Sequence, residues 1–153
     1  MDFSKLSNGQ KIASGAGLVL IINLFLPWYG VGPFSANAFE DPAGFLAFGG
    51  SFLAIAGAVI LLLKAMGTAD ASRGALAAEQ VALLVGAFGF VLIVLQWVTE
   101  NDFTKFGLFL GMIGAAVVTY GAFMTMKEKG IEMPDLEDIK SVTERDEPPS
   151  PDA

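Results

Sequence analysis

The chain lacks cysteine and histidine, and it has little charge: only 16% of its 153 residues are Asp, Glu, Lys or Arg. The absence of cysteine excludes disulfide-stapled modules and thiol chemistry, and the absence of histidine excludes imidazole acid–base catalysis. Zinc and haem sites that use these ligands are excluded as well. A net charge of −7 argues against a nucleic-acid binder, which needs a basic surface. Soluble domains carry about a quarter charged residues, so the shortage of charge needs an explanation.

Charge is missing from four long stretches, which we interpret as membrane spans. Residues 12–39, 42–63, 80–99 and 106–126 contain no Asp, Glu, Lys or Arg. About 20 apolar residues cross a hydrocarbon core roughly 30 Å thick, whereas a soluble bundle would need a polar outer face on every helix. We therefore predict spans at about 12–29, 43–64, 80–98 and 106–126.

The connections between these spans are short, so consecutive helices should be antiparallel neighbours. The predicted fold is an all-α, integral membrane four-helix up-down-up-down bundle over residues 1–127. Residues 128–153 are predicted to form a largely disordered acidic tail. From residue 127 onward the chain has four basic and nine acidic residues, which accounts for −5 of the total −7. Such a tail either keeps the chain soluble at the membrane surface or binds a protein.

Basic residues are concentrated on one side of the predicted bundle. Eight lysines and arginines belong to the N-terminal segment, the middle loop and the tail, and only Lys105 belongs to the other side. The positive-inside rule then predicts a multi-pass protein with both termini in the cytoplasm. The first span also imitates a signal peptide with an Ala-x-Ala cleavage site at 36–38, but its apolar run is longer than a typical signal core. We predict that four residues anchor the outer interface: Pro27, Trp28, Tyr29 and Trp97.

The predicted spans contain no ionisable residue, which argues against a proton relay or ion path built on a buried carboxylate. Their polar side chains either join helices by hydrogen bonds or line a polar path; the candidates are Asn23, Ser51, Gln96 and Thr119. Small residues at four-residue spacing suit packing within the bundle or a dimer interface. They form two stripes, Gly50, Ala54, Ala58 and Gly107, Gly111, Ala115. Four carboxylates of the outer loops form a solvated rim or a weak cation site: Glu40, Asp41, Glu100 and Asp102.

Several segments carry a family resemblance. Residues 6–12, followed by Phe25-Leu26-Pro27-Trp28-Tyr29, resemble the start of small four-span membrane proteins that are common in actinobacteria and their relatives. Residues 34–39 are similar to the S-A-W-x-A-F segment of that group, with Asn37 where an aromatic residue is usual, and the fourth span also fits. The resemblance covers about residues 5–127. It implies a four-span topology in a bacterial plasma membrane, and the group has no assigned activity.

These observations predict a non-enzymatic membrane protein with no catalytic residue, cofactor or metal site. We expect an accessory or scaffolding subunit that lies in the lipid bilayer and binds another protein, or a second copy of itself, through its tail or helix faces. The alternative is a small oligomeric channel or transporter for a neutral or lipid-like molecule. In that case the four polar residues of the spans should converge on one path.

Overall fold

The computed structural model describes residues 4, 6–41, 43–67 and 77–134. The described chain forms four α-helices and one antiparallel hairpin, in the order α1 (Asn8–Asn23), β1 (Tyr29–Val31), β2 (Phe34–Ala36), α2 (Gly44–Ala65), α3 (Ala78–Thr99) and α4 (Phe106–Lys129). The predicted disorder of the tail concerns residues 135–153, which lie outside the described residues.

Three of the helices in the described chain, α2, α3 and α4, are long and apolar enough to cross a membrane. With 22, 22 and 24 residues, each exceeds the 30 Å of a hydrocarbon core at about 1.5 Å per residue. Large apolar side chains point outward from them, including Phe88 and Ile113, which are 56% and 61% exposed. Such a surface suits lipid rather than water.

Helix α1 differs from the predicted first span, since it begins earlier and ends six residues before Tyr29. It has 16 residues, about 24 Å, and falls below the length expected of a spanning helix. It begins at Asn8 because Ser7 and Gln10 form a reciprocal capping box. It ends at Asn23 because the carbonyl of Asn23 would need the N–H of Pro27, which proline lacks.

The helices alternate in direction and meet at two distinct ends. At the first, which we call the ionic end, the start of α1 contacts the end of α4 through a hydrogen bond from Gly9 N to Glu128 Oε1 (3.2 Å). The end of α2 contacts the start of α3 at the same end, through Lys64 and Glu79 (3.3 Å). The β1–β2 hairpin and the α3–α4 loop lie at the opposite end, which we call the hairpin end.

Close helix crossings depend on glycine. A Cβ placed on Gly121 of α4 would lie 2.7 Å from the carbonyl oxygen of Gly9 on α1. A Cβ on Gly50 of α2 would lie equally close to the carbonyl oxygen of Gly89 on α3. Backbones can therefore approach closely at both crossings, which is how helices associate in lipid.

Candidate functional site

The hairpin end contains a buried polar network that begins where α1 stops. Trp28 is completely buried, and its indole Nε1 donates a hydrogen bond to the carbonyl of Asn23 (2.9 Å). The carbonyl of Asn23 also accepts a hydrogen bond from the N–H of Leu26 (3.1 Å), so these two donors take the place of the N–H that Pro27 lacks. Asn23 is also completely buried, and its Nδ2 donates to the carbonyl of Gly107 on α4 (2.9 Å).

Tyr29 continues this network toward α3. Its hydroxyl donates to the carbonyl of Glu100 (2.8 Å) and accepts a hydrogen bond from Nε2 of Gln96 (3.3 Å). Tyr29 is 2% exposed and lies in β1, outside the helices. Burial raises the pKa of its phenol, because desolvation disfavours the charged form; the hydrogen bond from Gln96 partly opposes this effect.

The prediction that Pro27, Trp28 and Tyr29 anchor the membrane interface is therefore wrong for the two aromatic side chains. Both are buried within the protein, since glycines on α4 leave room for the indole and Tyr29 is held against Gln96. Trp97 differs, because it is 38% exposed and packs edge-on against the ring of Phe109 (centroids 6.4 Å apart). Among the four predicted anchors, only Trp97 combines an aromatic side chain with an exposed position.

Backbone hydrogen bonds fasten this part of the chain to the start of α4. The N–H of Gly107 donates to the carbonyl of Pro27 (3.0 Å), and the N–H of Lys105 donates to the carbonyl of Trp28 (2.7 Å). The N–H of Gly30 donates to the carbonyl of Phe103 (2.9 Å). Residues 27–30 and 103–107 therefore pair along their length, which holds the hairpin over the end of the bundle.

The predicted stripes of small residues face the interior of the chain. On α4, a Cβ on Gly111 would lie 2.8 Å from the indole of Trp28 and 3.0 Å from Nδ2 of Asn23. On α2, Gly50 faces α3 as described above, and the alanines of both stripes are 0–3% exposed: Ala54, Ala58 and Ala115. These residues pack the protein's own helices in the described chain.

The four predicted path residues form hydrogen bonds with different partners in the described chain. Ser51 and Thr119 each donate to the carbonyl four residues earlier in their own helix, at 2.9 and 2.8 Å. Asn23 and Gln96 bond to the carbonyl of Gly107 and to the hydroxyl of Tyr29, as given above. Each of the four side chains thus takes part in at least one local or long-range hydrogen bond, although Oδ1 of Asn23 is buried and has no partner among the described residues.

A second polar cluster lies at the ionic end, and sequence reasoning missed it. In the sequence, Glu79 directly precedes the third predicted span, 80–98. Helix α3 begins at Ala78 instead, and Glu79 is completely buried in its first turn, where a carboxylate also suits the helix dipole. Its oxygens contact Nζ of Lys129 (2.7 Å) and Nζ of Lys64 (3.3 Å). One carboxylate therefore joins the ends of α2, α3 and α4.

Gln80 extends this cluster to the residues after α4. Its Oε1 accepts a hydrogen bond from the N–H of Ala77 (2.8 Å), and its Nε2 donates to the carbonyl of Glu132 (2.7 Å). The predicted tail boundary at residue 128 is accordingly too early, since α4 continues to Lys129 and the next residues are attached to α3. The sequence does hold a signal for this cluster: Lys64 and Lys129 lie near the ends of two predicted spans, and Glu79 lies directly before a third.

The predicted acidic rim is partly assembled at the hairpin end. Asp41, Glu100 and Asp102 line an open pocket of about 340 Å³ together with aromatic residues such as Phe34 and Phe103. The remaining carboxylate, that of Glu40, accepts a hydrogen bond from the N–H of Asn37. Among the residues that the structure describes, no group of three carboxylates is placed to hold a metal ion.

The fold and the two polar clusters have to be interpreted without the help of a relative. No protein-family model matches the chain, and neither a curated protein nor a solved structure matches it.

Proposed function

We propose that the protein is a non-enzymatic accessory subunit of a bacterial plasma membrane, and that its acidic tail binds a partner protein in the cytoplasm. In this proposal α1 is a fourth span, so that both termini are cytoplasmic. The outward face of this segment supports the assignment, because Leu18 and Ile22 of α1 are 65% and 62% exposed, and Phe25, just after α1, is 68% exposed. The excess of basic residues at the ionic end supports the orientation.

The observation that carries the proposal is the way in which the tail leaves the bundle. Gly130 ends α4 with a positive φ of 70°, and the N–H of Ile131 donates to the carbonyl of Met126 (2.8 Å), in a Schellman motif. Gln80 then holds the carbonyl of Glu132, and Glu79 holds Lys129. Residues 129–132 are thereby attached to α3, so the tail begins at a defined position on the bundle. A built exit suits a segment that must be presented at one position beside the membrane.

Capture from an introduced thiol tests the proposal directly. Ser150→Cys gives the full chain its only cysteine, to which a photoreactive crosslinker can be attached. We expect one defined protein to be captured from native membranes. A matched control keeps the same cysteine and the same tail composition but scrambles residues 135–149. Equal capture of the same proteins by the scrambled tail would contradict a specific partner, as would capture of lipid alone.

The same variant tests the orientation. A membrane-impermeant maleimide should label the thiol only after the cells are permeabilised, because the tail is proposed to be cytoplasmic. Labelling of intact cells would contradict the proposed topology. Bulky substitutions at Gly107 or Gly111 are unsuitable for testing partner binding, since both residues pack against Trp28 inside the bundle.

A further inference from the structure

A groove of about 240 Å³ opens between α1 and α2 on the outer surface of the bundle. Its wall is apolar and includes Leu18, Ile21, Ile55, Val59 and Leu62. Leu18 and Val59 are 65% and 43% exposed, so the groove opens toward the surroundings of the bundle. It begins about 9 Å from the first residue of α1 and extends about 10 Å further along that helix.

One polar residue, Ser14, lies at the end of this groove that is nearer the ionic end. Its hydroxyl oxygen is covered, yet it has no hydrogen-bond partner among the described residues. Other hydroxyls of the helices behave differently: Ser51 and Thr125 donate to the carbonyl four residues earlier. An unpaired hydroxyl at this depth is unfavourable, so the site favours a ligand that brings an acceptor oxygen.

A positive charge lies next along the same face of α1. Lys11, Ser14 and Leu18 are spaced three and four residues apart, which places them in one row. Lys11 is exposed and lies about 4.5 Å nearer the ionic end than Ser14 along the helix axis. A lysine near the end of a membrane helix extends its amine toward the headgroups. Going inward, the row therefore presents a cation, a hydroxyl and an apolar groove.

We propose that this groove binds one anionic phospholipid from the leaflet at the ionic end. The lipid phosphate contacts Lys11, an ester carbonyl accepts a hydrogen bond from Ser14, and one acyl chain lies between α1 and α2. The order of chemical groups in a phospholipid matches the order of residues in the row. Ser14 reaches the carbonyl by rotating to another of its staggered side-chain positions. This inference rests on the proposed placement of the ionic end at the cytoplasmic leaflet.

Native mass spectrometry of the full chain, titrated in neutral detergent, tests the inference with two probes. We expect phosphatidylglycerol to bind more tightly than phosphatidylcholine. Lys11→Gln should weaken phosphatidylglycerol binding about fivefold, as expected for one basic residue near an anionic surface. Ser14→Ala should weaken binding of both lipids about threefold, as expected for one membrane hydrogen bond. Val59→Phe should abolish it by filling the groove.

Two matched controls sit elsewhere on the bundle. Lys127→Gln removes an exposed lysine at the same end of α4, whose Nζ lies over the ring of Phe123, and Ile113→Phe adds a ring to the outer face of α4. Neither variant should change lipid binding. Equal affinity for the two lipids would overturn the inference, as would equal effects of Lys11→Gln and Lys127→Gln. A dimer that Val59→Phe dissociates would assign the groove to a second copy instead. Tighter lipid binding after the chain is ended at Pro134 would assign it to the tail.

Membrane extraction separates this inference from the proposed function. Release of the chain by an alkaline carbonate wash would overturn the proposed function and the lipid site together. A chain that resists the wash, and is labelled as a cytoplasmic tail predicts, but shows no preference for phosphatidylglycerol would overturn the lipid site alone.

Discussion

Replacing Gly107 by alanine should destabilise the protein, although the same change elsewhere in a helix is favourable. A Cβ on Gly107 would clash with the carbonyl oxygen of Pro27 and lie 2.8 Å from its carbonyl carbon. It would also lie 2.9 Å from Cδ1 of Trp28. Most of these obstacles are backbone atoms, which a small side-chain rotation cannot move aside. Residues 27–28 or the start of α4 must shift instead.

The expected loss follows from three contributions. Overpacking of this kind costs about 1–3 kcal/mol. The shift also weakens two hydrogen bonds of Gly107, one to Pro27 (3.0 Å) and one from Asn23 (2.9 Å), each contributing about 0.5–1.5 kcal/mol. The helical preference of alanine over glycine returns about 0.5–1 kcal/mol. We expect Gly107→Ala to lower the free energy of unfolding by about 2–4 kcal/mol.

Gly15→Ala provides the matched control. No atom lies within 4 Å of a Cβ at Gly15, so this variant should gain the 0.5–1 kcal/mol or so of helical preference without any clash. Both variants can be unfolded at equilibrium in mixed micelles with increasing dodecyl sulfate. A Trp97→Phe background leaves the buried Trp28 as the only indole reporter. If Gly107→Ala proves as stable as Gly15→Ala, residues 27 and 107 do not approach as described.

Three further outcomes are expected. Glu79→Gln should lower the free energy of unfolding by about 1–3 kcal/mol, as measured in the same micelles. This is less than the loss of a fully buried ion pair, because Lys64 and Lys129 remain 28% and 37% exposed. An unchanged free energy of unfolding would contradict the cluster. Lipid-borne bromine should quench Trp97 more than Trp28, as single-tryptophan variants would report, and the reverse order would place the indole of Trp28 outside. Because the pKa of the Tyr29 phenol is raised, the stability of the protein should be fully present below about pH 10 and should fall as the pH rises through the folded-state pKa. Tyr29→Phe should reduce this loss of stability at high pH. The same pH profile in both proteins would refute the burial of the Tyr29 phenol.

The sequence alone predicts the positions of α2, α3 and α4 to within a few residues, because long charge-free runs are a local property. The ends of α3 and α4 differ from the predicted spans, because each helix includes a charged residue that the prediction leaves outside. Glu79 lies inside α3 and Lys129 inside α4, since the two side chains neutralise each other across 50 residues of sequence. A hydropathy profile scores each residue separately and therefore does not detect such a pair.

The burial of Trp28 was beyond sequence reasoning for a similar reason. Pro-Trp-Tyr at the end of an apolar run is equally consistent with an interface anchor and with a buried corner. What decides between them is Gly107 and Gly111, about 80 residues later, whose missing side chains provide the space for the indole. The hairpin likewise depends on pairing with residues 103–107, which no local pattern indicates.

The attachment of α1 to α4 at both ends has a consequence for biogenesis. Gly9 contacts Glu128 and Gly121 at the ionic end, and residues 27–30 pair with 103–107 at the hairpin end. Helix α1 is synthesised well before α4, yet it completes its contacts only with α4. Until α4 is synthesised, the glycine backbone and Asn23 side chain of α1, and the side chain of Trp28 after it, are exposed to the translocon or to lipid. The short helix α1 is thus fully stabilised only after α4 has been synthesised, and a nascent chain truncated before α4 presents an unfinished membrane segment to quality-control proteases.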